Sequence, residues 1–589
     1  MTNLLSGNEA IALGFIHAQG KFVSGYPGTP STEIIETLAK HKDVYSEWAP
    51  NEKVAVESCI GASFAGLRAI AVMKHVGVNV ASDPIFTLAY TGCNAGLIII
   101  TADDPGMHSS QNEQDNRWYS KSAKIPMFEP SDSQECYDFI KVAFEISEQF
   151  QTPVFIRLTT RISHSKSLVK YSDSILKANY KPIQKDIRFN PIPEISKKLH
   201  CELENKLNKI SSSNNYYSVE YSSNKDIGII TSGISYQYTK EVFKNDVSIL
   251  KLNLIYPLNK DIIKDFADKL NNVYIIEELD GFIEAEVKNF GIKCIGKEII
   301  PNTLELSPNI LKKAFGIKQT INNNINTNDN CSKNTNNETL SFCSGCPYRP
   351  FFYALSKYKD LIVSSDIGCY ALSSYDPFNT KDIALCMGAG FSIAHGIQKS
   401  FELTKTNKKC IGIMGDSTFF HSGINSLINS IYNKSNPFLV ILDNSSTSMT
   451  GLQDNPGTGK TISDDYTIKI DIEQIVKAVG VKNVKLLNST LISDINNAIN
   501  WGLSFDTTSV LIYKNECKLK EMKHSNKLVF PNFIDTTLCT VCKKCIKIGC
   551  PSIKYISNTN LVSIDSSTCV GCNTCTQLCP NNAIKKVVL

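Results

Sequence analysis

Ile411-Gly412-Ile413-Met414-Gly415-Asp416-Ser417 runs an apolar segment into a glycine, an acid and a small hydroxyl, and residues 419–432 continue with helical spacing. Downstream, Leu439-Val440-Ile441-Leu442 is a second short apolar run, ending in Asp443-Asn444. Short apolar runs bounded by turn residues and joined by a helix mark buried parallel strands. The fold class is therefore α/β, with Asp416 and Asn444 at the carboxyl ends of two strands, where ligands bind in open sheets. An acid and an amide there make a hard-oxygen pair suited to magnesium, which takes one or two protein oxygens plus phosphate and water. The plainer alternative is an ordinary strand–helix turn with Asp416 as helix N-cap.

The same alternation extends outward. Residues 54–71, rich in alanine and glycine, predict one buried helix, and residues 95–101 and 153–158 predict buried parallel strands. Residues 181–225 turn polar, with Ser211-Ser212-Ser213-Asn214-Asn215, and predict a connection. Strands follow at 227–231 and 273–277. Asparagine, serine and threonine dominate residues 320–339, a flexible linker that buries too little apolar surface to order itself. The predicted chain is multi-domain: an α/β unit at 1–180, an intermediate α/β unit at 181–319, the linker, a third α/β unit at 340–525, and a small loop-rich module at 530–589.

That module decides a second piece of chemistry. It reads Cys539-x2-Cys542-x2-Cys545-x4-Cys550-Pro551 and then Cys569-x2-Cys572-x2-Cys575-x3-Cys579-Pro580. Three cysteines at every third position aim three thiolates at one corner of a cubane, and the distant fourth, before proline, serves the other cluster, as in bacterial two-cluster ferredoxins. One 4Fe-4S cluster is thus expected on Cys539, Cys542, Cys545 and Cys579, the other on Cys550, Cys569, Cys572 and Cys575. Structural zinc would pair two hooks at longer separation without a third cysteine in each run. Disulfides suit small secreted domains, and residues 1–10 lack a basic n-region. A reducing, anaerobic cytoplasm is the expected setting. Composition is ordinary: 42% hydrophobic, 20% charged and net charge +4, with no basic field for nucleic acid and no apolar run long enough to span a membrane.

The Gly415-Asp416 turn followed just under thirty residues later by Asn444 resembles the thiamine diphosphate motif, with Ser417 where that family usually has glycine. The resemblance implies that Asp416 and Asn444 bind magnesium through side-chain oxygens and Ser446 through its carbonyl. It also implies a glutamate from another domain set against the aminopyrimidine ring, nine residues before a glycine at the mouth of a small-residue helix. Glu52, with Gly61, fits that place; Glu57, with Gly66, is the competitor. Tyr26-Pro27-Gly28-Thr29-Pro30-Ser31 opens a helix whose hydroxyls and amides could face a carboxylate, and Met387-Gly388-Ala389-Gly390 lets a helix approach the cofactor closely. Gly415, Gly388 and Thr29 are accordingly cofactor-facing positions, whereas His395 reads as a packed or capping residue.

Taken together, Tyr26-Pro27-Gly28-Thr29-Pro30, Cys343-Ser344-Gly345-Cys346-Pro347, the Gly415-Asp416-Ser417-Thr418-Phe419-Phe420 turn and the terminal cysteine runs resemble the 2-oxoacid:ferredoxin oxidoreductases throughout the chain, and most nearly the alpha subunits acting on arylpyruvates. That resemblance implies oxidative decarboxylation of an arylpyruvate with coenzyme A, thiamine diphosphate and magnesium as cofactors, and external ferredoxin as electron acceptor. It implies a beta subunit supplying the gamma-type domain this chain lacks, in a hetero-oligomer of alpha and beta chains. It also raises a third cluster on Cys343, Cys346, Cys369 and Cys517, with a pair of buried free thiols as the alternative. Two rival functions stay open: a non-oxidative thiamine decarboxylase or synthase with structural clusters, and a purely electron-transferring subunit.

Overall fold

Strands buried on both faces form the centre of each α/β layer in the computed structural model, which describes residues 1–172, 186–190, 192–317, 341–524 and 530–587. The linker expected at 320–339 lies outside the described residues. The chain divides into two units, Met1–Asn324 and Ile325–Leu589.

The first unit is built on a seven-stranded sheet in the order Leu254–Tyr256, Met127–Phe128, Val154–Thr159, Leu97–Asp103, Ala69–Lys74, Phe22–Gly25 and Tyr45–Trp48. All neighbours are parallel except the short Leu254–Tyr256 edge. Every residue of Leu97–Asp103 and Val154–Thr159 is buried, as continuous apolar reading of parallel strands requires. The helix predicted across 54–71 is instead two elements: helix Glu52–Phe64 and strand Ala69–Lys74. Gly66, with φ +98°, ends the helix. A run apolar on all sides suits a buried helix and a doubly covered strand equally, so composition did not separate them.

The polar stretch at 181–225 also holds more than a connection. Pro193–Ser212 is a 20-residue helix that buries Leu199, Leu203 and Ile210, a three-to-four spacing hidden among lysines and glutamates. It leads into a four-stranded sheet in the order Asn272–Ile276, Ile227–Ser232, Ser248–Leu252 and Tyr217–Glu220. A buried ion pair ties the two sheets of this unit together, Arg117 bonding Asp115 and Glu277, while Arg157 bonds Asp103 and Glu129 within the first sheet, both guanidiniums being almost wholly enclosed.

In the second unit a six-stranded, all-parallel sheet runs Ile383–Ala384, Ile362–Ser365, Cys410–Gly415, Phe438–Asp443, Ser509–Lys514 and Asn483–Leu487. Helix Ala389–Leu403 packs on it closely enough that a Cβ on Gly390 would lie 2.5 Å from the Ile413 carbonyl. The C-terminal module has two small antiparallel ribbons, Asn532–Ile534 with Ile584–Lys586 and Ile553–Ile556 with Leu561–Ile564. Among its described residues the buried core is small, Ile548, Ile553, Val562, Cys575 and Ile584 with partly buried neighbours such as Ile534 and Ile564, and a core of that size leaves much of the ordering to whatever the cysteines hold.

Candidate active site

Strands Cys410–Gly415 and Phe438–Asp443 are hydrogen-bonded neighbours with Gly415 opposite Leu442, so Asp416 and Asn444 leave the sheet side by side. Asp416 Oδ2 accepts hydrogen bonds from the Ser446 backbone N–H and the Asn455 amide, each at 3.1 Å. Asn444 gives its amide N–H to Ser448 Oγ at 3.0 Å, which leaves Oδ1 buried with no partner. Such an orphaned oxygen costs about 1–3 kcal/mol. Burial, then the charge of Asp443, lifts the Asp416 carboxyl above the usual carboxylate range. One cation beside these two oxygens would relieve both penalties, so the residues fit the magnesium of a bound diphosphate. Ser417 adopts helical backbone and accepts from Thr447 Oγ1 at 3.0 Å, so the turn needs no glycine there.

Gly388 does need to be glycine. Its φ is +85°, and a Cβ would sit 2.3 Å from Ser422 Oγ. Its N–H donates to Asp366 Oδ2 at 3.0 Å, and Tyr370 Oη donates to the other oxygen. Burial pushes Asp366 up to about 7. Asp366 follows strand Ile362–Ser365, beside Cys410–Gly415, so it faces the Asp416 turn across the point where strand order reverses. Sequence reasoning missed Asp366, Tyr370 and Asn455. The available signal was a strand followed by an acid, as at Gly415-Asp416, but on only four residues. His395 lies within helix Ala389–Leu403 with Nδ1 unpartnered, and burial lowers its pKa.

In the first unit Glu52 is the first residue of helix Glu52–Phe64, behind the N-cap Asn51, whose side chain accepts from Val54 N–H at 2.9 Å. Glu52 is 5% exposed, and its carboxylate packs where a Cβ on Gly77 would stand 2.8 Å from Oε1. Glu57 is exposed and ion-paired with Lys53. Of the two candidates, Glu52 alone is enclosed at a helix start, although Gly61 has open space around it and its spacing has no packing reason. Thr29 is half-buried in its turn. The Gly28 N–H donates to Thr32 Oγ1 at 3.0 Å and Ser31 Oγ to the Gly28 carbonyl at 2.9 Å, so the turn itself uses those donors.

Each terminal cysteine set rings its own cavity. Cys539, Cys542, Cys545 and Cys579 line one; Cys550, Cys569, Cys572 and Cys575 line the other. The two loops repeat each other: Val541 and Gly571 have φ +51° and +61°, and Lys543 and Asn573 have +58° and +61°. This left-handed winding on either side of the middle cysteine turns three thiols inward, although it strains the β-branched Val541. Backbone N–H groups of Asn532 and Ala583 point at Cys569 Sγ (3.4 Å) and Cys579 Sγ (3.2 Å). Among the described residues no three His, Cys, Asp or Glu side chains converge to ligate a single ion. A four-iron cube is wider than one ion whose thiolates sit at ~2.3 Å.

A third group forms around Cys369. Burial lifts its thiol to about 12, and the neighbouring Cys517 and Cys343 add to the shift. Cys346 is likewise lifted to about 12 by burial, with Cys369 and Cys343 contributing. The Cys517 N–H donates to the Asn444 carbonyl at 3.0 Å, tying this group to the Asp416–Asn444 turn. On its other side, Ser344 Oγ lies 2.8 Å from Ser552 Oγ, and buried Arg349 bonds the carbonyls of Cys343 (2.9 Å) and Ile548 (3.2 Å). Ser344, Gly345 and Arg349 also line the cavity of Cys550, Cys569, Cys572 and Cys575, so this group lies between that cavity and the Asn444 loop.

Family comparison agrees with this geometry. Residues 14–225 match the thiamine diphosphate-binding domain of pyruvate flavodoxin/ferredoxin oxidoreductases, residues 366–513 the C-terminal TPP-binding domain of thiamine pyrophosphate enzymes, and residues 562–585 the 4Fe-4S binding domain. Fold and site define a thiamine diphosphate-dependent, iron–sulfur 2-oxoacid oxidoreductase. The chain is 38% identical to the indolepyruvate oxidoreductase subunit IorA of Archaeoglobus fulgidus and 36% identical to that of Pyrococcus horikoshii, in both cases across 99% of this chain and 97% of the relative. It belongs to the indolepyruvate oxidoreductase IorA family. It is also similar to the 2-oxoglutarate synthase subunit KorA of Methanocaldococcus jannaschii (26% identity, 45% of this chain, 86% of that one). Among solved structures, it resembles a 2-oxoglutarate:ferredoxin oxidoreductase from Magnetococcus marinus, at TM-score 0.46 and 18% identity, over 54% of this chain and 65% of that one.

Proposed function

We propose that this chain is the catalytic alpha subunit of a cytoplasmic enzyme that oxidises arylpyruvates, indolepyruvate among them, with coenzyme A. In the net reaction the bond between the carboxylate and the ketone carbon breaks, a thioester forms, and carbon dioxide and one proton leave. Two electrons pass singly to ferredoxin. Bound thiamine diphosphate supplies the carbanion chemistry of that cleavage. Asp416, Asn444 and the Ser446 carbonyl hold its magnesium, Gly415 and Gly388 give the backbone room to approach, and Glu52 holds a proton against its pyrimidine ring. Thr29 stands at the substrate end. Cys343, Cys346, Cys369 and Cys517 hold the cluster nearest the thiamine site, followed by the Cys550-Cys569-Cys572-Cys575 cluster and the Cys539-Cys542-Cys545-Cys579 cluster. A beta subunit with a gamma-type domain completes the enzyme. Large apolar side chains left open at Met449, Tyr466 and Ile468 are in keeping with a protein partner.

The observation that carries this reading is the unsatisfied Asn444 Oδ1 beside Asp416, on a loop bonded through Cys517 to the third cysteine group. Anaerobic assay of ferredoxin reduction tests it. Activity is expected to require arylpyruvate, coenzyme A and the second subunit together; robust coenzyme-A-dependent turnover by this polypeptide alone would remove the partner from the account.

A further inference from the structure

We infer that Lys74 anchors the carboxylate of the 2-oxoacid, an assignment that rests on the function proposed above. Strand order in the seven-stranded sheet reverses between Phe22–Gly25 and Ala69–Lys74. The crevice beyond the carboxyl ends of those two strands is where an open α/β sheet takes its ligand. Lys74 is the last residue of its strand and the N-cap of helix His75–Thr91. Its side chain passes so close to Gly28 that a Cβ there would lie 2.9 Å from Lys74 Cβ. Three residues further on, Gly77 leaves the space against which the Glu52 carboxylate packs. Cation, Gly28–Thr29 turn and Glu52 thus share one crevice.

Lys74 is 9% exposed and gives one hydrogen bond, to the Ser109 carbonyl at 2.7 Å. Among the described residues no carboxylate lies within ion-pair distance of it. Asp104, the nearest acid in influence, is already engaged by Ser109 N–H (2.9 Å), Ser110 Oγ (2.5 Å) and Thr160 Oγ1 (2.7 Å). An ammonium has three donors, so two remain for a ligand. Burial draws Lys74 down to about 8, with Asp104 offsetting part of the shift. The next residue, His75, is fully buried with Nδ1 unpartnered. A buried cation with spare donors is costly until an anion joins it, and the substrate carboxylate is the anion this chemistry calls for.

The simpler role for Lys74 is to hold the 104–116 loop through Ser109, so the test separates charge recognition from architecture. In the two-subunit holoenzyme, Lys74→Met should raise KM for phenylpyruvate about 10- to 100-fold, the worth of a charge-assisted bond, while kcat moves far less. Lys74→Arg should restore most of the loss. Thiamine affinity and cluster spectra should stay as in the wild type. Binding of unreactive phenyllactate and its methyl ester is measured alongside: the wild type should prefer the acid, and Lys74→Met should lose that preference. An unchanged acid-to-ester ratio in Lys74→Met would overturn the assignment. A wild type inactive on every 2-oxoacid would overturn the proposed function instead, and the acid-to-ester comparison would still decide Lys74.

Discussion

Asn444 Oδ1 and the Asp416 carboxylate are where the folded chain carries a local cost that a ligand would remove. Asp416→Ala or Asn444→Ala should therefore weaken magnesium-dependent thiamine diphosphate binding by more than the ~10–100-fold that loss of an outer-shell partner costs. Cluster absorbance should be untouched, and calorimetric titration of each variant checks both expectations. Glu52→Gln should keep the cofactor and lose turnover by ~10²–10⁴-fold, the range of a lost general acid–base group. Glu57→Gln, at an exposed surface pair, should keep both cofactor and turnover. Steady-state rates of the two variants decide between them. Asp416 and Asn444 were legible in the sequence because each ends an apolar run long enough to register as a strand. Asp366 and Lys74 were not: one follows a strand of four residues, and the other ends a strand that reads as helix.

At the level of elements, both ferredoxin-like loops could be read from spacing because three thiols on a short loop have few ways to converge. What spacing cannot give is the matched left-handed backbone at Val541 and Gly571 and at Lys543 and Asn573 that turns those thiols inward. The cavities group Cys579 with the first run and Cys550 with the second. Cys579→Ser should accordingly give the spectrum of Cys542→Ser, not of Cys572→Ser; the reverse pairing would mean that each run wires its own cluster. The helix Pro193–Ser212 and the strand Ala69–Lys74 escaped the sequence for opposite reasons, one too polar to stand out and the other too apolar to show a period. Beside the Arg117–Glu277 pair, the next residue Glu278 is buried and accepts a hydrogen bond from the Leu306 N–H at 3.0 Å. Burial raises Glu278 to about 7, with the Leu306 N–H bond opposing. A carboxyl with a raised folded pKa binds its proton more tightly in the folded state, so its contribution falls between about pH 4.5 and pH 7 and is flat above. Glu278→Gln should flatten that part of the dependence of thermal stability on pH, as melting at pH 5.5 and 7.5 would reveal.

The whole molecule joins a thiamine site to a file of cysteine groups within one polypeptide, and that union separates an oxidative enzyme from its rivals. A non-oxidative decarboxylase passes no electrons on and needs no 4Fe-4S binding module. A pure electron carrier needs neither the orphaned Asn444 oxygen nor the enclosed Glu52. Full-length similarity to IorA subunits of archaea places both modules in one inherited enzyme. The duplicated cysteine runs and the Gly415-Asp416 turn made this architecture visible in the sequence. The grouping of Cys343, Cys346, Cys369 and Cys517 was legible only through the family resemblance, because these residues come from three distant stretches with loose spacing. The most direct measurement is electron paramagnetic resonance of the anaerobic two-subunit enzyme, frozen after mixing with arylpyruvate and before any ferredoxin is added. Reduced 4Fe-4S signals should appear only when thiamine diphosphate, magnesium and arylpyruvate are all present. Consumption of arylpyruvate to the aldehyde while every cluster stays oxidised would contradict it.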